Sequence, residues 1–146
     1  MAMKEISESI EIIKEILKLC DITKETLEHY KFEASGSMLH EALDKLIFAK
    51  MSKRSDYKQA KEFLSDMKPM MAELTDRLKK ISEAIPEEYE FKDYGANEQF
   101  EKLHDYYKTT NIVKIKKYDI NGDIGTIGGI DGKITKIMKD LLNLQK

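Results

Sequence analysis

Two long runs of this chain repeat their apolar residues at alternating spacings of three and four. The first is Met3, Ile6, Ile10, Ile13, Leu17, Cys20 and Leu27, with the polar Lys24 standing in the series. The second is Tyr57, Ala60, Leu64, Met67, Met71, Leu74, Leu78, Ile81 and Ile85, without interruption. Such spacing draws a narrow apolar seam down one side of a helix. It predicts helices over 4–31 and 56–84. Ile12, Ile16 and Leu19 widen the first seam, which suits a bundle better than a two-stranded coil. Pro69 lies inside the second run, yet the apolar phase is the same on both sides of it. That register predicts one continuous helix, kinked at the proline.

Shorter elements fill in the rest. Ala34-Ser35-Gly36-Ser37 breaks the chain, and an apolar helix is expected over about 38–51. Pro86 ends the long second seam. An acidic, aromatic loop follows to Asn97, and then a helix whose face is Phe100, Leu103 and Tyr107. Beyond Lys108 the character changes. Residues 112–120 are rich in β-branched side chains, Asn121-Gly122 is a favoured hairpin pair, and Ile124 to Ile127 suit a return strand. Gly125, Gly128, Gly129 and Gly132 oppose helix there. A final helix is expected over about 133–144. The predicted fold is mainly α: an antiparallel bundle of four to five helices with a small irregular or β-hairpin element near 112–130. It reads as a single helical domain, with 1–108 as its core and 109–146 as a glycine-containing segment plus terminal helix.

Composition narrows the function classes. The chain has 146 residues, 36% of them charged, and a net charge of −2. Without a basic surplus, general nucleic-acid binding is disfavoured. No apolar run is long enough to span a bilayer, and the N-terminus lacks the pattern of a signal peptide. Cys20 is the single cysteine, so no intramolecular disulfide can form. These features point to the cytoplasm. The lysine and isoleucine bias fits an AT-rich genome, as in many bacteria and phages.

Candidate chemistry is sparse. Glu101 and His104 form an E-x-x-H step, the spacing that turns a carboxylate and an imidazole to one helix face. Di-iron bundles use two such steps with two further carboxylates; here Glu25 and His29 are the only further pair. A solvated helix face explains Glu101 and His104 as well, since Lys102, Asp105 and Lys108 surround them. Asp119, Asn121 and Asp123 resemble the D-x-N-x-D opening of EF-hand and dockerin calcium loops. The resemblance implies calcium, but Ile124 and Ile130 stand where that loop needs glycine and an acid. The glycine-rich stretch before Lys133 misses the phosphate-loop pattern at Ile127 and Ile134. No nucleophilic pair stands out, and no cofactor is implied.

The sequence therefore favours a non-enzymatic protein-protein interaction module: an adaptor, a chaperone-like binder or an inhibitor of a larger machine. Its partner-binding candidates are Tyr89, Phe91 and Tyr94 in the acidic loop, with Met67, Met70 and Met71 around Pro69. A homodimer through the 56–84 seam is a further expectation. The alternative is a metal-binding bundle or enzyme using Glu101 and His104. A second alternative is a nucleic-acid-associated regulator using the lysine-rich C-terminal part.

Overall fold

The computed structural model describes residues 2–35, 55–109 and 120–146. Among them are four helices and no strand: α1 (Ala2–Ser35), α2 (Ser55–Ala84), α3 (Ala96–Thr109) and α4 (Ile120–Leu144). They form an antiparallel four-helix bundle. Each helix packs on two others, in the cyclic order α1–α2–α3–α4. The expected helix over 38–51 and the first strand of the expected hairpin lie outside the described residues. No described helix is long and apolar enough to cross a membrane.

The two long seams do what their spacing demands. Ile6, Ile10, Ile13, Ile16, Cys20 and Leu27 of α1 are buried against Ala60, Leu64, Met67, Met71, Leu74, Leu78 and Ile81 of α2. The α2 seam is thus covered by helices of its own chain. Helix α2 continues through Pro69, which is exposed together with Ser65 one turn earlier. The carbonyl freed by the missing amide therefore faces water, which lowers the cost of the proline. Polar groups caught inside α1 are satisfied locally. Ser9 donates to the Glu5 carbonyl at 2.7 Å and Thr23 to the Leu19 carbonyl at 2.6 Å. Lys24, the polar member of the first seam, reaches Asp21 at 3.5 Å and Asp131 of α4 at 4.0 Å.

One cluster fixes the pairing of α1 and α2. Arg77 donates to Glu5 at 2.9 Å, to Glu8, and to Glu73 at 3.1 Å. A late α2 residue thus holds the first turns of α1, as an antiparallel pair requires. The planar guanidinium suits this multiple recognition better than a lysine would.

The hairpin expectation is corrected. From Ile120 onward the chain is helical, so Asn121-Gly122 and Ile124 to Ile127 are the opening turns of α4. Glycine in a helix costs about 1 kcal/mol relative to alanine, and α4 contains Gly122, Gly125, Gly128, Gly129 and Gly132. Against this stand Ile127, Ile130, Ile134, Ile137 and Leu141, again spaced three and four and all buried. Each such burial contributes about 1.5–3 kcal/mol, so tertiary packing outweighs local propensity.

The glycines of α4 are not all structural necessities. A Cβ built at Gly125, Gly128 or Gly132 meets nothing within 4 Å, whereas one at Gly129 lies 3.2 Å from Gln99 Nε2. Gly125→Ala, Gly128→Ala and Gly132→Ala should each stabilise the fold by about 0.5–1 kcal/mol, raising the melting temperature by roughly 1–4 °C. Gly129→Ala should gain less, because Gln99 also accepts a hydrogen bond from Lys133. Thermal melts of the four single variants test this ordering.

Candidate metal centre

Helix α3 begins in a tight local structure. The Asp93 carboxylate accepts from the Gly95 amide at 2.9 Å, and the Gly95 carbonyl accepts the first helical bond from Gln99 at 3.1 Å. Tyr94 and Gly95 both take left-handed backbone, with φ of 57° and 80°. Glycine does this freely and tyrosine does not. The turn sets the phase of α3, placing Ala96, Phe100, Leu103 and Tyr107 in the core.

His104 is one turn after Phe100, so the same phase carries it inward. Its residue exposure is 7%, and its ring lies 5.7 Å from that of Phe100. The Nδ1 atom is buried without a hydrogen-bond partner. Asp105 Oδ1 lies 3.6 Å from it, beyond hydrogen-bonding range. Glu101 stands one turn before on the same side. Ligand atoms of Glu101, His104 and Asp105 all lie within 4.8 Å of one another. Donors around one first-row ion bind at about 2.0–2.2 Å, which sets them roughly 3–3.5 Å apart. The cluster must therefore contract by about 1 Å. The two carboxylates have room to do so, their side chains being 38% and 67% exposed.

A cation of the chain already touches this group. Lys68 Nζ of α2 lies 3.2 Å from Glu101 Oε2. Lys68 and Asp105 were not singled out by the sequence. Asp105 carried a signal, since it is four residues after Glu101 and shares its helix face. Lys68 carried none, because its proximity depends on how α2 packs on α3.

The other candidates fall elsewhere. Glu25 is exposed on α1 and outside the cluster; the side chain of His29 is not described. Asp119 lies outside the described residues. Asn121 and Asp123 belong to the opening of α4, where Asp123 accepts from the Tyr107 hydroxyl at 3.2 Å. Met67 and Met71 are core residues and Met70 is half-buried beside them. The aromatic loop folds back on the bundle: Tyr89 is buried, while Phe91 and Tyr94 are half-buried against the core.

No protein-family model, curated protein or solved structure matches the chain. Its chemistry must be read from its own residues. They overturn the expectation of a non-enzymatic interaction module. The fold brings Glu101, His104 and Asp105 together as a group that could hold a metal ion. A purely solvated face does not describe it, because His104 is inside.

Cys20 does not add to this chemistry. Burial, with the Asp131 carboxylate acting in the same direction, pushes its thiol up to about 12. Burial likewise raises Tyr89 to about 12, with Asp140 and Tyr94 adding to the shift. Both groups hold their protons more tightly folded than unfolded, where they titrate at about 8.5 and 10. Their contribution is complete below those values and is lost as the pH climbs toward 12. Stability to denaturant should therefore decline above about pH 8.5. Cys20→Ala should show a shallower decline from pH 8 to 10 than the parent.

Proposed function

We propose that the protein binds a divalent first-row metal ion through Glu101, His104 and Asp105 of α3, and that the bound metal serves Lewis-acid or water-activating chemistry. The observation that carries this reading is the buried, unpaired His104 Nδ1 atom in a residue whose ligand atoms cluster with those of Glu101 and Asp105. One imidazole and two carboxylates suit zinc, manganese or iron(II) better than a soft ion such as copper(I). Three protein ligands leave at least one coordination position for water or substrate, as in catalytic metal sites. The core supports the geometry: Phe100 and Leu103 seat the helix so that His104 is held by packing while the carboxylates adjust.

Lys68 modulates the same site. Its ammonium occupies the neighbourhood of Glu101 and must yield when a cation arrives. An exposed pair of this kind is worth about 0.2–1 kcal/mol, so its removal should tighten binding modestly.

Calorimetric titration of chelator-treated protein with Zn²⁺ and Mn²⁺ tests both points. One ion should bind per chain. His104→Ala should weaken binding by at least about tenfold, and Lys68→Met should strengthen it by about two- to fivefold. Absence of saturable binding by the parent, or equal affinity in the His104 variant, would overturn the proposal.

A further inference from the structure

The three candidate ligands all come from one helix. Glu101, His104 and Asp105 belong to a single stretch of α3, so they meet an ion from one side. The other side faces solvent and α2, which packs on α3. On that neighbouring helix stands Lys68, whose Nζ lies 3.2 Å from Glu101 Oε2. The Lys68 side chain is 48% exposed, so its ammonium can swing without disturbing the core. As an exposed pair, Lys68 and Glu101 contribute little to holding the fold together.

Charge decides what the open side accepts. A divalent ion held by two carboxylates and one neutral imidazole makes a set with no net charge. Lys68 adds one positive charge. In the metal-free cluster that charge offsets Glu101; once the metal claims Glu101, the ammonium is left in excess beside the ion. A neutral guest leaves this excess unanswered, and a cation adds to it. A dianion overshoots it, next to two carboxylates. A monoanion balances it.

Geometry narrows the monoanion further. A carboxylate has two oxygens on one carbon and can answer two partners at once. One oxygen binds the metal at about 2.0–2.2 Å, and the other accepts from the ammonium at about 2.7–2.9 Å. The ammonium is a compact charge on a flexible four-carbon stem, so it adjusts to an anion whose position the metal sets.

We infer that the metal-loaded site takes its substrate through a carboxylate, with one oxygen on the metal and the other accepting from Lys68. The inference rests on the metal reading above and assigns to Lys68 the choice of substrate class. Lys68 thereby acts twice, with opposite signs: it opposes the incoming cation and holds the anion that follows.

Acetate is the direct probe, with acetamide and methyl phosphate as its neutral and dianionic counterparts. Amide resonances of ¹⁵N-labelled protein, followed with and without one equivalent of Zn²⁺, report both steps. In the zinc-loaded protein acetate should give saturable shifts at Lys68, Glu101 and their neighbours; in the metal-free protein it should give none. Acetamide should bind at least about tenfold more weakly, since it loses the charge at both contacts. Lys68→Met should weaken acetate binding by about two- to fivefold while zinc binds more tightly. Lys68→Arg, which keeps the charge, should stay within about twofold of the parent for acetate. Failure of zinc itself to bind would overturn the metal reading and this inference with it. Saturable zinc binding, with acetate affinity unchanged by Lys68→Met or with acetamide equal to acetate, would overturn the carboxylate assignment alone. So would tighter binding of methyl phosphate than of acetate.

Discussion

Mutual burial of apolar stripes governs this molecule. Four helices each carry residues three and four apart, and each stripe is covered by its neighbours in the ring. The pairing of α1 with α2 is the frame. These are the longest helices, with 34 and 30 residues, and their seams interlock along much of their length. Arg77 and its three glutamates tie the two together at the end where α1 begins. The remaining helices are placed by this frame. Helix α4 is the clearest case, because its glycines would leave it unfolded alone, and only the buried isoleucine face holds it helical.

The same constraint creates the candidate chemistry. Helix α3 has 14 residues and a short apolar face. Its phase is set by Phe100, Leu103 and Tyr107, and His104 is carried inward by that phase. A buried imidazole nitrogen without a partner is unfavourable by about 1–3 kcal/mol. The fold tolerates this because Phe100 and its neighbours contribute more. The geometry of the cluster is therefore a by-product of core packing. Two carboxylates stand in the cluster with His104, and one of them, Glu101, is already paired with the ammonium of Lys68.

The long seams were legible because their periodicity is unbroken; Pro69 did not disguise the second, since phase outlasts a single missing hydrogen bond. The first turns of α4 were misread for the opposite reason. Ile127, Ile130, Ile134, Ile137 and Leu141 keep the helical spacing, but the glycines and the Asn121-Gly122 pair spoke for a turn. Local propensity is worth about 1 kcal/mol per residue, and burial of an isoleucine is worth more. The E-x-x-H step was visible in the chain, but its meaning was not. Charged neighbours made a solvated face the simpler reading of Glu101 and His104. Only the phase of α3, fixed by tertiary contacts, shows that one member of the pair is inside. Tyr89 was visible as an aromatic anchor. The missing acceptor for its hydroxyl depends on how the loop folds back, which no local pattern encodes.

The distribution of polar groups separates scaffold from site. In the frame, buried hydroxyls close on carbonyls one turn back: Ser9 on Glu5, Thr23 on Leu19. These bonds need no outside partner. Among the described residues, the two buried side-chain atoms left unpaired are Tyr89 Oη and His104 Nδ1. Both belong to the part of the chain between the end of α2 and the end of α3, where a 14-residue helix and its leading loop replace a long seam. The nitrogen has Asp105 Oδ1 at 3.6 Å, and Glu101 belongs to the same cluster. Long helices that satisfy themselves supply rigidity, and the short side they leave over carries the unmet capacity. An ion held at His104 would remove a desolvation cost the folded chain has already incurred, while Glu101 and Asp105 would still have to close on it.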